Sequence, residues 1–153
     1  MKIPGYVYQI VINAPRERIW EALTSAEFTQ QYWHQTRVRS SFEPGARVEF
    51  LVGPDDEVGC EGEVLTANHP EELAYTWRFP RNPEVRDETP SRVTFRLESL
   101  STDPVATRLT VTHDHFPDGS QMRDMVKEGW PLVLAGLKTL LETERAVDFS
   151  AIA

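Results

Sequence analysis

His113-Asp114-His115 places two imidazoles within three residues. In an extended chain, positions i and i+2 point the same way, so His113 and His115 have the spacing of two ligands to one metal. A catalytic zinc needs three protein ligands and a structural zinc four. The remaining histidines, His34 and His69, are remote in sequence, and His69 falls in a turn motif. The reading therefore assigns no metal and no cofactor. It leaves His113 either as a histidine satisfied by one hydrogen bond at the rim of an apolar face or as a ligand contact. His113 is also the single weak candidate for catalysis. Cys60 has no base beside it to make it a nucleophile, and a buried small residue is its more usual role. Glu61 and Glu63 alternate on one face, where a solvated edge fits better than acid–base work. A nucleophile elbow, a phosphate-binding glycine loop and a dinucleotide fingerprint are all missing. The balance is against an enzyme without closing the question.

The aromatic residues say more. Ligand sites are mostly apolar, with a few placed polar groups. Trp33, Phe50, Tyr75, Trp77, Phe79, Phe95 and Trp130, with Leu134 and Leu137, are expected to border one cavity, and His113, Tyr75 and Cys60 would be its polar groups. The competing reading is a closed aromatic core.

These residues must be positioned by regular elements. Tyr6 to Ile12 alternates as a strand, and Asn13-Ala14-Pro15 then starts a helix, with Asn13 as its cap. A second short helix is expected over Ala26 to Gln31. Strands are expected at 35–42, 47–52, 59–67, 73–79, 92–100 and 107–116, joined by turns such as Glu43-Pro44-Gly45 and Asn68-His69-Pro70-Glu71. That makes an antiparallel meander. The rows Val48, Phe50, Val52; Tyr75, Trp77, Phe79; Val93, Phe95, Leu97; and Leu109, Val111, His113, His115 form an apolar face. Arg92, Thr94, Arg96, Arg108, Thr110 and Thr112 lie opposite, and Arg37 and Arg39 are expected on a wet face. A long helix from about Gly119 to Glu144 supplies the partner stripe: Met122, Met125, Val126, Trp130, Val133, Leu134, Leu137, Leu140 and Leu141. Within it, Pro131 cannot donate to the Lys127 carbonyl. A kink near Gly129-Trp130-Pro131 is expected, dividing the helix so that each half follows a curved sheet and leaves a gap beneath.

The chain has 153 residues and a net charge of −8, with scattered arginines, which argues against a nucleic-acid partner. One cysteine excludes an intrachain disulfide. The first residues lack a secretory layout, and no apolar run approaches the ~20 residues of a membrane span, so a soluble, cytoplasmic protein with no membrane partner is expected. One α+β domain over residues 1–145 and a loose tail over 146–153 are expected.

The segments "NAPRERIWEALTSAEFTQQYW", "FEPGARVEF", "CEGEVLTANHPEELAYTWRF", "TRLTVTHDHF" and "EGWPLVLAGLKTLLE" resemble the homologues of the activator of the 90-kDa heat-shock protein ATPase, C-terminal domain type. That family belongs to the START-like, Bet v 1-like or helix-grip (SRPBCC) superfamily, and the resemblance spans roughly residues 6 to 143. It implies an α+β helix-grip fold: a seven-stranded curved antiparallel sheet around a long C-terminal helix, with two short helices after the first strand. Superfamily members carry apolar or amphipathic molecules between helix and sheet, and some are cyclases or hydrolases. The eukaryotic namesake is a co-chaperone with an additional N-terminal, client-engaging domain, which this chain is expected to lack because its first strand begins near Tyr6. The expected function is binding of a small apolar or amphipathic molecule in an internal cavity. A cyclase- or hydrolase-type enzyme using that cavity, or a co-chaperone-like interaction module, is the alternative, and a homodimer is left open.

Overall fold

A computed structural model describes residues 4–149. β1 (Tyr6–Ile12) is followed by α1 (Arg16–Thr24), α2 (Ala26–Tyr32), β2 (Arg37–Arg39), β3 (Arg47–Val52), β4 (Glu57–Asn68), β5 (Glu72–Trp77), β6 (Ser91–Thr102), β7 (Val105–Asp114) and α3 (Gln121–Thr143). The seven strands form one curved antiparallel sheet in the order β1-β7-β6-β5-β4-β3-β2. Every neighbour in that order is a sequence neighbour except β1, which pairs with β7. The segment holding α1 and α2 therefore carries the chain from one sheet edge to the other.

The expected strand register holds. Val93, Phe95, Leu97, Leu109, Val111 and His113 are all buried in the core with α3, whereas Arg92, Arg96 and Arg108 lie on the opposite face. There the arginines meet carboxylates: Arg92 with Asp114, Arg96 with Glu72, Arg108 with Glu98. Arg39, Glu49, Arg47, Glu61 and Arg78 make a continuous chain of ion pairs across β2, β3 and β4. Hydrogen bonds from Arg39 and Arg47 hold the Glu49 carboxyl below its usual range. Glu61 is committed to two arginines, which leaves it no role as a free acid or base.

Four local expectations are corrected. Asn13 does not cap α1. Extended Pro15 occupies the cap position with no side-chain bond, and its carbonyl accepts from Arg18 and Ile19. Asn13 instead donates its backbone N–H to Glu142 Oε2 at 2.7 Å. The strand expected over 35–42 is reduced to Arg37–Arg39, because Gln35 and Phe42 adopt left-handed backbone conformations. The last strand stops at Asp114, since His115 also has positive φ, and His115 is exposed, not on the face of His113. The two histidines therefore cannot share a metal.

The fourth correction concerns Pro131. α3 is one unbroken helix from Gln121 to Thr143, not two half-helices. Pro131 has no N–H to donate to the Lys127 carbonyl. Lys127 is exposed and Pro131 half-buried, so this stripe flanks the core and water can reach the freed oxygen. Trp130 and Leu134, one turn apart, are buried against the sheet as expected.

The N-terminus of α3 is tied down by a residue from the β5–β6 loop. Glu88 accepts from Ser120 Oγ at 2.5 Å and from the backbone N–H of Gln121 and Met122 at 2.9 and 3.3 Å. A carboxylate there satisfies otherwise unpaired donors and favours the helix dipole. In the same loop Val85 is buried in the core. After α3, residues 146–149 have no regular structure, and Phe149 lies over Gly136; residues 150–153 of the expected tail lie outside the described residues. Among the described residues no helix is long and apolar enough to cross a membrane.

One glycine is required by close approach. At Gly62, where β4 runs beside β5, any side chain would overlap the Thr76 carbonyl oxygen. Gly62→Ala should therefore lower stability by at least about 1–3 kcal/mol in urea denaturation, because backbone and not a flexible side chain must yield. The same change at Gly45, where the turn has open space but φ is +88°, should cost only the strain of that conformation.

Candidate functional site

Between the N-terminal half of α3 and strands β3, β4 and β5 lies a cavity of about 290 Å³. Its floor is buried: Trp33, Phe50, Cys60, Trp77, Val126, Trp130 and Val133. Its mouth is formed by half-buried Val52, Gly59, Phe79, Met125 and Gly129 and by exposed His34, with buried Thr36 completing the wall. Alternation on β3 and β5 sends Phe50 and Trp77 inward. Trp33 enters from the end of α2, where Tyr32 Oη donates to the Ala22 carbonyl at 2.6 Å and locks the two short helices together. Thr29 holds the following loop: its hydroxyl donates to the Thr36 carbonyl at 2.9 Å and accepts from the Val38 N–H at 3.1 Å.

Five of the residues expected at a site, Trp33, Phe50, Trp77, Phe79 and Trp130, line this cavity. Their rings form one cluster, with Trp130 centred 5.4 Å from both Trp33 and Trp77. Tyr75, Phe95, His113, Leu134 and Leu137 are not in the wall; they are fully buried in the core behind it. Phe95 packs edge-on against Trp130 with centroids 5.7 Å apart. Leu134 and Leu137 lie further along α3 than the cavity reaches. Cys60 is in the wall, and burial pushes its thiol pKa well up, so it is a neutral S–H and not a thiolate.

His113 is a structural histidine. Trp130 Nε1–H donates to its Nδ1 at 3.1 Å, and an indole nitrogen can only donate. The ring proton is therefore on Nε2, which donates to Ser91 Oγ at 2.7 Å. Phe116 stacks on the ring at 4.9 Å. Both nitrogens are committed, so His113 offers no free lone pair for a proton transfer in the cavity. Burial lowers its pKa to about 3, and it is neutral at ordinary pH. The adjacent Asp114 faces the other side of the sheet, in a two-bond pair with Arg92 that holds its carboxyl low. Among the described residues no three His, Cys, Asp or Glu side chains gather as a metal site.

Sequence reading did not assign His34, Thr36, Val52, Gly59, Met125, Val126, Gly129 or Val133 to the site. Val52 and the three larger α3 residues were legible as core-facing positions. His34 was not, because only the left-handed backbone at His34 and Gln35 turns the loop toward the mouth. The partly desolvating wall lowers the His34 pKa. Among the described residues two buried polar atoms lack a hydrogen-bond partner: Tyr75 Oη and Trp77 Nε1. Trp77 belongs to the wall, and Tyr75 lies directly behind it.

The pKa of His113 predicts an acid-sensitive fold. Its folded value lies below the unfolded ~6.5, so the unfolded chain binds the extra proton and stability falls as pH drops from 6.5 toward about 3. Between pH 6.5 and 5, wild type should lose roughly 1.5–2 kcal/mol that a His113→Asn variant does not lose. Denaturant titrations of both proteins across that range measure the difference, which lies above the titration range of the carboxylates. Equal pH slopes would show that His113 is protonated in the folded state.

Residues 13–142 match the family described as Activator of Hsp90 ATPase homolog 1-like protein. No curated protein matches the sequence. Solved structures do. A Mesorhizobium loti protein is 26% identical with a TM-score of 0.73, covering 90% of this chain and 96% of its own. An HSP90 activator from Plasmodium falciparum is 17% identical with a TM-score of 0.74, covering 91% and 96%. The Aha1 dimer from Colwellia psychrerythraea is 18% identical with a TM-score of 0.72, covering 92% and 98%. With 13–142 matched as one run and the helix-grip architecture in place, the chain belongs to the Activator of Hsp90 ATPase homolog 1-like family.

Proposed function

We propose that the protein binds a small apolar or amphipathic molecule in the cavity between α3 and the sheet. One observation carries this reading: a largely apolar cavity, with five aromatic rings and no Asp, Glu, Lys or Arg in its wall, that opens to the surface beside a glycine with no steric reason to be there. A glycine inside a helix costs about 1 kcal/mol relative to alanine. At Gly129 a Cβ would meet nothing within 4 Å, so packing does not demand the missing side chain. What its absence leaves open is the mouth, between Met125 and Val133 on the same helix. Larger aromatic cavities bind ligands chiefly by apolar contact, with few polar groups setting orientation.

Gly129→Leu tests the reading. The side chain projects into open space, so the fold should persist and the melting temperature should hold or rise by the propensity gain of up to about 1 kcal/mol. Wild type should bind an apolar fluorescent probe and gain about 2.7 kcal/mol of stability at a free probe concentration of 100 Kd. The leucine variant should lose both effects. Unchanged probe binding in a folded Gly129→Leu protein would move the binding site elsewhere.

The family relationship supports a second reading, an interaction module acting on a chaperone ATPase. The related Plasmodium falciparum protein is named as an HSP90 activator. If that activity is shared, adding this domain to a purified 90-kDa heat-shock protein should raise ATP turnover, and Gly129→Leu should leave the stimulation intact. A Colwellia psychrerythraea relative is a dimer, and sedimentation of this chain decides whether it also self-associates.

A further inference from the structure

The mouth of the cavity is built at a conformational cost that its floor does not share. The chain reverses between Trp33 and Thr36, where the Thr36 N–H donates to the Trp33 carbonyl at 2.9 Å. Both central residues, His34 and Gln35, are left-handed, with φ of 50° and 58°. Such turns are normally filled by Asn and Gly, because a Cβ disfavours positive φ. The end of α2 can use one left-handed residue, but the second is not needed for that. The conformation is imposed from beneath. Buried Thr29 bonds the Thr36 carbonyl and the Val38 N–H, and buried Thr36 donates its hydroxyl to the Trp33 carbonyl at 2.7 Å. Strained backbone held by its surroundings clusters at sites that contact ligands. Its result here is an imidazole at the rim of an apolar cavity.

That imidazole is uncommitted. Among the described residues it has no hydrogen-bond or ion-pair partner. His113, by contrast, has both nitrogens engaged, and His69 packs edge-on against Trp20. Desolvation by the wall lowers the His34 pKa, so the ring is neutral at pH 7 and presents one donor and one acceptor. No Asp, Glu, Lys or Arg lines the cavity. The arginines that follow His34 in sequence are committed elsewhere, Arg37 to Gly53 and Asp56 and Arg39 to Glu49. An anionic head group would find no cation in the wall, and a net charge of −8 opposes its approach. A cationic one would find no carboxylate. Nor could it be caged, because Trp33, Trp77 and Trp130 meet one another at centroid distances of 5.4 to 6.2 Å and leave no room for an ammonium between them. The Trp33 indole N–H also lacks a partner among the described residues, but it belongs to the buried floor and can only donate.

We propose that the cavity takes an amphipathic molecule with an uncharged hydroxyl group, its apolar body on the aromatic floor and its hydroxyl hydrogen-bonded to the His34 imidazole at the mouth. This rests on the cavity being the binding site, as proposed above, and names the head group it selects. A hydroxyl both donates and accepts, as a neutral imidazole does, and at the mouth its remaining lone pair stays in water.

Four two-ring probes of similar shape separate the possibilities: 2-(1-naphthyl)ethanol, 1-propylnaphthalene, 1-naphthylacetate and 2-(1-naphthyl)ethylammonium. A cavity of about 150 Å³ holds benzene, so one of about 290 Å³ admits their ring systems. Binding at pH 7 is followed by quenching of tryptophan fluorescence and by histidine ring signals in ¹H–¹⁵N spectra. The alcohol should shift the His34 nitrogens, and propylnaphthalene should not. Glycine adopts positive φ freely, so His34→Gly should remain folded. In that variant the alcohol should bind about fivefold more weakly, the worth of one hydrogen bond, while propylnaphthalene should change by less than about twofold. Neither ion should bind wild type more tightly than the alcohol. No loss of alcohol affinity in His34→Gly, or equal weakening of both neutral probes, overturns the proposal while leaving the cavity as the site. So does tightest binding of either ion, or a shift of the Trp33 indole proton in place of the His34 signals. Should the variant fail to fold, the His34 signals in wild type decide alone. Failure of all four probes to bind overturns the cavity reading and this inference with it.

Discussion

The contact on which the rest of this structure depends is the hydrogen bond from Trp130 to His113. It joins α3 to β7 across an otherwise apolar interface, and Ser91 on β6 completes the line. Apolar packing is non-directional and would tolerate a rotation or slide of α3 over the sheet. A buried donor and acceptor that must meet do not tolerate it, since either left alone costs about 1–3 kcal/mol. The pair therefore sets which residues of α3 face the sheet. It also explains the histidine that ends the buried row Thr107, Leu109, Val111 and His113 on β7.

Trp130 has two roles because of where that contact holds it. One edge of the indole is committed to His113, and its ring forms part of the cavity floor. The neighbouring residues of α3 then acquire their meaning by helical geometry. Gly129 falls at the mouth, Val126 and Val133 one turn to either side, and Pro131 on the flank near solvent. The helix tolerates proline because the lost bond is at the wet side. It tolerates glycine because Trp130, Leu134 and Leu137 supply the burial that keeps the element in place.

The other end of α3 is positioned from a distance. Glu88, in the loop between β5 and β6, caps its first turn. Val85 anchors the same loop in the core, and Asn82 reaches Met125 at the cavity mouth. The loop from β5 to β6 is thus part of the site's frame. On the outer face the ion pairs are solvent-exposed on at least one side and contribute little individually to stability. Their effect is to keep that face wet and the sheet single-sided.

The sequence by itself determined the element order, the strand register and the two faces of the sheet, because alternation and helical periodicity are local properties that burial then rewards. The row Leu109, Val111 and His113 and the stripe from Met122 to Leu140 could be read directly from residue spacing. The family, too, was legible in the run of motifs from Asn13 to Glu142. What only the tertiary structure decided was which of the aromatic side chains meet empty space and which meet one another. Phe50 and Phe95 both alternate inward, yet Phe50 reaches the cavity and Phe95 is closed behind Trp130. The tautomer of His113, the cap from Glu88 and the placement of His34 likewise depend on partners 17, 33 and more residues away or on left-handed backbone that no periodicity announces. Cavities arise where packing is incomplete, and completeness of packing is a property of the whole assembly and of no single segment.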